Sequence, residues 1–204
     1  MTQPRPVLRP DEMPVAVLVL AAGGSRRLGR PKQLLDYRGA TLLDATLATA
    51  REAGTAQVVV ALGGAADEVI ERVDLAGTEV VLNPDFGDGC ATSIRTALTH
   101  VRDDAAGVVL LLGDQPGVTA AAVLALVAGS GGHRVGVCAY DDAPGHPLWF
   151  DRSMFATLSG LHGDKAVWKL VEAGDDVVRV PVAGPVPPDV DTWEDYQALL
   201  EVDA

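Results

Sequence analysis

The amino-acid sequence predicts an α/β fold with a mostly parallel central sheet and helices on both of its faces. Short apolar segments alternate along the chain with amphipathic segments, which is the order of strands and helices that builds a parallel sheet. Several apolar segments contain no polar alternation, as expected of strands that are covered on both faces. Polar and glycine-rich turns follow these segments, at the edge where open parallel sheets bind their ligands.

The individual elements follow from local patterns. Strands are predicted over residues 15–21, 57–62, 78–82, 107–112, 134–140 and 177–182. Helices are predicted over residues 65–73, 91–101, 119–128, 164–173 and 193–202. A further helix begins near Thr41, which forms a capping box with Asp44, and ends at Gly54. Residues 1–14 contain four prolines and no periodic pattern, so we expect a flexible tail before a single domain over residues 15–204.

The composition indicates a globular protein whose site must supply its own positive charge. The chain has 204 residues, 48% of them hydrophobic and 22% charged, which suffices for one sizeable core. Its net charge of −12 argues against binding to nucleic acid or to an anionic membrane surface. No apolar run approaches the roughly 20 residues that span a bilayer. Cys90 and Cys138 form no disulfide framework, and the histidine spacing predicts no zinc site, so the cytoplasm is the simplest compartment.

The segment LAAGGSRRLGRPKQLL, at residues 20–35, predicts a phosphate-binding turn after the first strand. Glycines let backbone N–H groups approach an anion closely, and nearby cations neutralise it. The turn contains two adjacent glycines, and four cations follow within seven positions: Arg26, Arg27, Arg30 and Lys32. The alternative is an ordinary glycine turn with a solvated basic face.

Asp114 is the first charged residue after the apolar strand at residues 107–112. A carboxylate at the end of a strand can hold Mg²⁺, which usually binds one or two carboxylates together with substrate phosphates. An aspartate in an Asp-x-Pro-Gly segment is equally typical of a plain turn. The residues alone leave both interpretations open.

These segments resemble the nucleotidyltransferases with a Rossmann-like fold, most closely the molybdenum cofactor cytidylyltransferase branch. The family signature L-A-A-G-x-S-x-R-x-G-x-P-K-x-L-L resembles residues 20–35, and its G-D-Q-P element matches residues 113–116. Its D-[IV]-D-T element matches residues 189–192 before the last helix. The resemblance implies a Rossmann-like fold and transfer of a nucleoside monophosphate from a nucleoside triphosphate to a phosphorylated small molecule, with release of pyrophosphate.

The resemblance also implies residue roles and a Mg²⁺ cofactor. Asp114 and Asp191 are the implied metal ligands, with Asp189 in support, although Asp191 or Thr192 could cap the last helix instead. Arg27, Lys32 and Asp114 are the predicted catalytic residues: Arg27 stabilises the β- and γ-phosphates, and Lys32 reaches toward the α-phosphate. The predicted nucleotide-binding residues are Leu20, Ala21, Ala22, Gly23, Gly24, Ser25, Arg27, Lys32, Gly63, Asn83, Gly89, Ser93 and Asp114.

The predicted acceptor-binding residues are Gln115, His146, Pro147 and Asp164. The family's G-x-P element matches residues 145–147, whereas residues 163–168 depart from its G-D-x-G-A-R element. His146 could bond an acceptor phosphate, although a lone histidine in a loop is more often simply exposed. The acceptor implied by the resemblance is molybdopterin, with CTP favoured over GTP as donor and a transient contact with a cofactor-receiving enzyme.

Two alternatives remain open. The first keeps the chemistry and changes the acceptor, for example to a sugar 1-phosphate or a redox-cofactor precursor. The second is a nucleotide-binding accessory module without catalysis. A metal-dependent glycosyltransferase is disfavoured because Asp114 is not part of an acidic D-x-D pair.

Overall fold

The computed structural model describes residues 14–25, 27–174 and 176–202, which fold around a seven-stranded sheet. The strands are β1 (Val15–Ala21), β2 (Asp36–Tyr37), β3 (Ala40–Thr41), β4 (Gln57–Leu62), β5 (Glu79–Leu82), β6 (Gly107–Leu112), β7 (Val135–Ala139), β8 (Pro144–Asp151) and β9 (Val177–Pro181). The helices are α1 (Leu42–Glu52), α2 (Ala66–Arg72), α3 (Cys90–Leu98), α4 (Ala120–Gly129), α5 (Phe155–Ser159), α6 (Ala166–Ala173) and α7 (Trp193–Val202). Apart from Pro14, the predicted tail lies outside the described residues.

The central sheet has the strand order β5-β4-β1-β6-β8-β7-β9, and β2 pairs with β3 in a separate hairpin. β1 pairs in parallel with β4 and β6, β4 with β5, and β7 with β9. Only β8 is antiparallel to its neighbours, β6 and β7. The prediction of a mostly parallel sheet is therefore confirmed.

Helices cover both faces of this sheet, as predicted. In β1, Val17 and Val19 pack in one cluster with buried residues of α1, α2 and α4. The intervening residues Ala16 and Leu18 pack on the opposite face, against α3, α5 and α6. Because both faces are buried, β1 can be apolar at every position. No helix in the described part of the chain combines the length and apolar character needed to cross a membrane.

Local patterns predict several element boundaries correctly. β1, β4 and β6 have the predicted bounds. The capping box of α1 is present, since Thr41 Oγ1 accepts a hydrogen bond from Asp44 N at 3.1 Å and Thr41 N donates to Asp44 Oδ2 at 3.0 Å. Gly54 follows the helix with a φ of 63°, a left-handed conformation that favours glycine.

Strand β8 is the main element that the sequence pattern does not predict. It contains Pro144 and Pro147, and proline is rarely found inside a sheet because it has no N–H to donate. The register with β7 shifts between Val137 and Cys138, opposite this part of β8. Because β8 is antiparallel, its first residues lie at the edge where β1 and β6 end, which brings Gly145 and His146 to that edge.

Candidate active site

A cavity of about 570 Å³ opens at the carboxyl edge of the sheet, on the face covered by α3 and α6. Its walls come from the turn after β1, the end of β6, the starts of α3, β8 and α6, and the segment before α7. The edge predicted to bind ligands is therefore the edge that contains the cavity. The predicted site residues that line it are Leu20, Ala21, Ala22, Gly23, Gly24, Ser25, Arg27, Lys32, Gly89, Ser93, Asp114, His146, Asp164 and Asp191.

The turn after β1 is held in place by Ser25 and Gln33. Ser25 adopts a φ of 47°, and its Oγ accepts a hydrogen bond from Lys32 N at 2.9 Å. Gln33, only 3% exposed, donates from Nε2 to Ala21 O at 2.6 Å and to Gly23 O at 3.1 Å. Both carbonyls are thereby turned toward the protein. Gln33 was not predicted as a site residue, and its place directly after Lys32 was the only sequence clue.

The second glycine turn, after β4, supports the first turn through Phe86. A Cβ on Gly63 would collide with the carbonyl oxygen of Ala22 and lie 2.8 Å from Phe86 Cβ. A Cβ on Gly64 would lie 2.7 Å from Phe86 Cζ. Gly63 is predicted to bind the nucleotide, but it does not line the cavity and lies behind the wall that Ala22 and Phe86 form. Phe86 itself lines the cavity and was not predicted.

Lys32 lies between two carboxylates beside the glycine turn. Its Nζ forms ion pairs with Asp114 Oδ2 and with Asp191 Oδ1, the latter at 2.7 Å. Arg27 Nη1 reaches Asp191 Oδ2 at 3.1 Å. Burial opposes the charge of the Lys32 ammonium, but the two carboxylates outweigh it and raise its pKa. The lysine is therefore a permanent cation at this end of the cavity.

The carboxylates of this cluster titrate differently because they differ in exposure. The Asp114 side chain is 13% exposed and that of Asp191 is 45% exposed. Burial raises the pKa of the Asp114 carboxyl, and the Lys32 ammonium opposes that rise. The hydrogen bond from Lys32 lowers the pKa of Asp191.

Asp114, Asp189 and Asp191 could hold a divalent cation. One carboxylate oxygen from each lies within 4.8 Å of those from the other two. Carboxylate oxygens are the ligands that Mg²⁺ and Mn²⁺ prefer in proteins, so the donor set fits such an ion. Asp189, predicted in a supporting position, stands in the same cluster as the two predicted ligands.

The cap of α7 is provided by Thr192, which leaves Asp191 available to the cavity. Asp195 N donates to Thr192 Oγ1 at 3.2 Å, and Thr192 N donates to Asp195 Oδ2 at 2.8 Å. This reciprocal pair is a capping box. Of the two possible caps predicted from the sequence, the structure uses Thr192.

Asn83 is predicted to bind the nucleotide, but the structure turns its side chain away from the cavity. The residue is 2% exposed, and its Nδ2 donates to Thr92 Oγ1 at 2.8 Å and to Ser93 Oγ at 3.0 Å. Its Oδ1 accepts from Asp85 N at 3.0 Å. Asn83 therefore joins the end of β5 to the first turn of α3, whereas Ser93 lines the cavity.

Two predicted acceptor residues lie outside the cavity. Gln115 is 6% exposed and donates from Nε2 to Pro187 O at 2.9 Å, so it holds the segment before α7. Pro147 lies inside β8 and does not line the cavity. Asp164 does line it, and its Oδ1 accepts a hydrogen bond from Cys90 N at 2.9 Å. Burial raises the pKa of the Cys90 thiol to about 11, so the group is protonated at pH 7.

His146 is not the exposed loop histidine that the sequence favours. It is 8% exposed, lies in β8 and packs edge-on against Trp168, with ring centroids 5.4 Å apart and planes at 84°. Burial lowers the pKa of His146 to about 4, so the imidazole is neutral at pH 7. It therefore offers a phosphate no positive charge. Trp168 lines the cavity beside it and was not predicted.

Solved structures show the same architecture in other proteins. A homologue of Rv0371c from Mycobacterium sp. strain JC1 is 51% identical with a TM-score of 0.88, covering 96% of this chain and 98% of the other. Rv0371c of Mycobacterium tuberculosis, solved in complex with manganese, is 47% identical with a TM-score of 0.85, covering 93% and 99%. A nucleotidyl transferase from Methanothermobacter thermautotroptrophicus, at 22% identity, has a TM-score of 0.78 and covers 92% and 96%. This last likeness supports the predicted Rossmann-like nucleotidyltransferase fold alone.

Two of the curated relatives have names that indicate different activities. Nicotine blue oxidoreductase of Paenarthrobacter nicotinovorans is 31% identical over 207 residues, covering 91% of this chain and 96% of the relative. The molybdenum cofactor cytidylyltransferase of Escherichia coli is 28% identical over 103 residues, covering 50% and 52%. The family profile described as MobA-like NTP transferase domain matches residues 17–177. The chain therefore belongs to the MobA-like NTP transferase family.

Proposed function

We propose that the protein transfers a nucleoside monophosphate from a nucleoside triphosphate to a phosphorylated small molecule and releases pyrophosphate. CTP and molybdopterin are the favoured donor and acceptor. The observation that carries the proposal is the position of Lys32, a permanent cation held between Asp114 and Asp191 beside a glycine turn. A cation and a set of carboxylates at one point of the cavity suit charge-stabilised chemistry on phosphate.

The residues of the chain suit an in-line attack of the acceptor phosphate on the α-phosphorus. The turn from Ala22 to Ser25 offers backbone N–H groups to the triphosphate, and Arg27 stabilises charge on its outer phosphates. Lys32 stabilises charge at the α-phosphate. The second pKa of a phosphate monoester is about 6, so most of the acceptor is already ionised at pH 7 and needs no general base. Positioning and charge stabilisation then account for catalysis.

The proposed cofactor is Mg²⁺, held by Asp114, Asp189 and Asp191. When bound there, such an ion would neutralise charge on the reacting phosphate oxygens. The geometry of the three carboxylates supports this assignment. The manganese complex of Rv0371c shows that a relative 47% identical to this chain was crystallised with a divalent metal.

A second candidate function is an oxidation–reduction. It is favoured by the similarity to nicotine blue oxidoreductase, which covers 91% of this chain. The two candidates differ in what they consume, because nucleotidyl transfer releases pyrophosphate and an oxidoreductase requires an electron donor and acceptor. One protein preparation can therefore be tested for both.

The test measures pyrophosphate release from CTP, GTP, UTP and ATP with Mg²⁺ or Mn²⁺, with and without molybdopterin. We expect release from CTP only when molybdopterin is present, and loss of that release in an Asp114→Asn variant. Release with a sugar 1-phosphate instead would retain the chemistry and change the acceptor. Nucleotide binding without release under any condition would favour the accessory module. Reduction of nicotine blue by an added electron donor, without pyrophosphate release, would favour the oxidoreductase.

A further inference from the structure

The cavity runs along the carboxyl edge of the sheet, and its two ends differ in charge. β1, β6 and β8 are neighbours in the sheet, so the glycine turn and His146 are separated by two strand spacings, about 10 Å. Leu20, Leu112 and His146 line the cavity at the ends or starts of these three strands. One end of the cavity therefore lies at the turn after β1, and the other lies at β8 and α6.

The positive charge of the cavity is confined to its β1 end. Among the described residues that line it, the cations are Arg27 and Lys32, and both belong to the segment after β1. The β8 end is lined by His146, Val167 and Trp168 together with the carboxylate of Asp164. The two aromatic rings contact each other edge to face. This end presents neutral rings and one negative charge to a ligand.

We propose that Trp168 is a specificity-determining residue, which makes the β8 end of the cavity selective for an uncharged ring bearing hydrogen-bond donors. The inference rests on the proposed function, because that function assigns the β1 end to the triphosphate and the reacting phosphate. The rest of the acceptor then extends toward Trp168. This residue positions the acceptor and does not touch the reacting phosphorus.

Three properties of this end support the selectivity. The indole of Trp168 is half-buried and offers an apolar surface against which a ring can pack. A second anionic group on the acceptor would lose hydration there without gaining a cation, and it would face Asp164. Asp164 Oδ1 accepts a hydrogen bond from Cys90 N, whereas among the described residues no group donates to Asp164 Oδ2. An N–H or O–H of the ligand can take that place.

The test compares two soluble probes of the same ring, neutral 6-hydroxymethylpterin and anionic pterin-6-carboxylate, by calorimetric titration in the presence of CTP and Mg²⁺. Four proteins are compared: wild type, Trp168→Phe, Trp168→Arg and Leu124→Arg. Leu124 is 50% exposed on α4, which covers the other face of the sheet, so this variant controls for an added charge. Circular dichroism and CTP affinity show whether each variant is folded.

We expect wild type, Trp168→Phe and Leu124→Arg to prefer the neutral probe by about tenfold, and Trp168→Arg to reverse that preference. Equal binding of both probes by wild type, or binding of neither, would overturn the proposal without requiring any variant. An unchanged preference in a folded Trp168→Arg variant would overturn it as well. Pyrophosphate release is measured separately. Preference for the neutral probe without pyrophosphate release refutes the proposed function alone, and pyrophosphate release without that preference refutes the role of Trp168 alone.

Discussion

Replacing Lys32 by methionine is expected to destabilise the metal-free protein by about 3 kcal/mol. The substitution removes the ammonium and keeps the length and apolar character of the side chain. Asp114, whose side chain is 13% exposed, then loses the cation that faces it. Its carboxylate is left mostly buried without a counter-charge.

The magnitude follows from the exposure of the partners. Removing one member of a buried ion pair costs about 3–5 kcal/mol, whereas an exposed pair contributes about 1 kcal/mol or less. The Lys32 side chain is 14% exposed and that of Asp191 is 45% exposed, so the pair with Asp191 adds little. The loss therefore comes mainly from Asp114 and lies near the low end of the range for buried pairs.

The assay is urea unfolding at pH 7 with a metal chelator, for wild type, Lys32→Met, Asp114→Asn and the double variant. The double variant is expected to be more stable than the sum of the single losses predicts, because the Asp114→Asn substitution leaves no buried carboxylate facing the missing ammonium. Added Mg²⁺ or Mn²⁺ is expected to stabilise Lys32→Met more than wild type, since the three carboxylates are then free of the lysine. Transfer activity is expected to fall at least about hundredfold.

The pH dependence provides a second check on the same reasoning. Burial already raises the folded-state pKa of Asp114 in the wild type, and loss of Lys32, which opposes that rise, raises it further, so the folded variant binds a proton more readily. The loss in stability relative to wild type is then expected to shrink as the pH falls. A loss below about 1 kcal/mol at pH 7, the value of an exposed pair, would refute the reasoning. A loss that stays constant down to pH 4 would refute it as well.

Three further predictions concern other parts of the cavity. Gln33→Leu is expected to cost about 1–3 kcal/mol in urea unfolding and to weaken CTP binding, because the Ala21 and Gly23 carbonyls lose their donor; unchanged CTP affinity would show that the turn does not need it. Gly63→Ala is expected to weaken CTP binding because the new Cβ collides with the turn after β1. The control Gly131→Ala is expected to leave CTP binding unchanged, since the nearest neighbour of its Cβ among the described residues is 3.8 Å away; equal effects of the two variants would contradict this. Burial lowers the folded-state pKa of His146 from 6.5 to about 4, so the unfolded chain takes up a proton first and the wild type loses stability as the pH falls through this range. In His146→Phe, the loss of stability between pH 6.5 and 4 is therefore expected to be about 3 kcal/mol smaller than in wild type. Parallel pH profiles would refute it.

The fold is predictable wherever one local pattern decides the outcome. The short apolar runs of β1, β4 and β6 fit strands that are buried on both faces of a sheet. The Thr41–Asp44 capping box marks the start of α1. β8 is different, because two prolines argue against a strand at its start. Its pairing depends on β6, more than thirty residues earlier in the sequence, and on a register shift in β7. No local pattern contains that information.

The site is predictable as a location more than as a set of contacts. Strand ends identify the edge, and most predicted residues line the cavity there. A strand end does not determine which way a side chain turns. Asn83 turns inward because Thr92 and Ser93 present hydroxyl acceptors to it in the first turn of α3. His146 is buried because it lies in β8. The neighbouring prolines argue against a strand there, so its burial is not predicted from the sequence.

The antiparallel strand of the central sheet, β8, places the two ends of the cavity mainly on two separate stretches of the chain. Most residues of the β1 end come from residues 20–33, joined there by Asp114, Asp189 and Asp191, and the β8 end comes from residues 144–168. Each stretch is contiguous and is anchored to the sheet by its own strand. Exchange of residues 144–168 between relatives would therefore replace the β8 end, which the proposed function assigns to the acceptor, and leave the β1 end intact. Under the proposed function, divergence in this one short segment would be enough to change the acceptor.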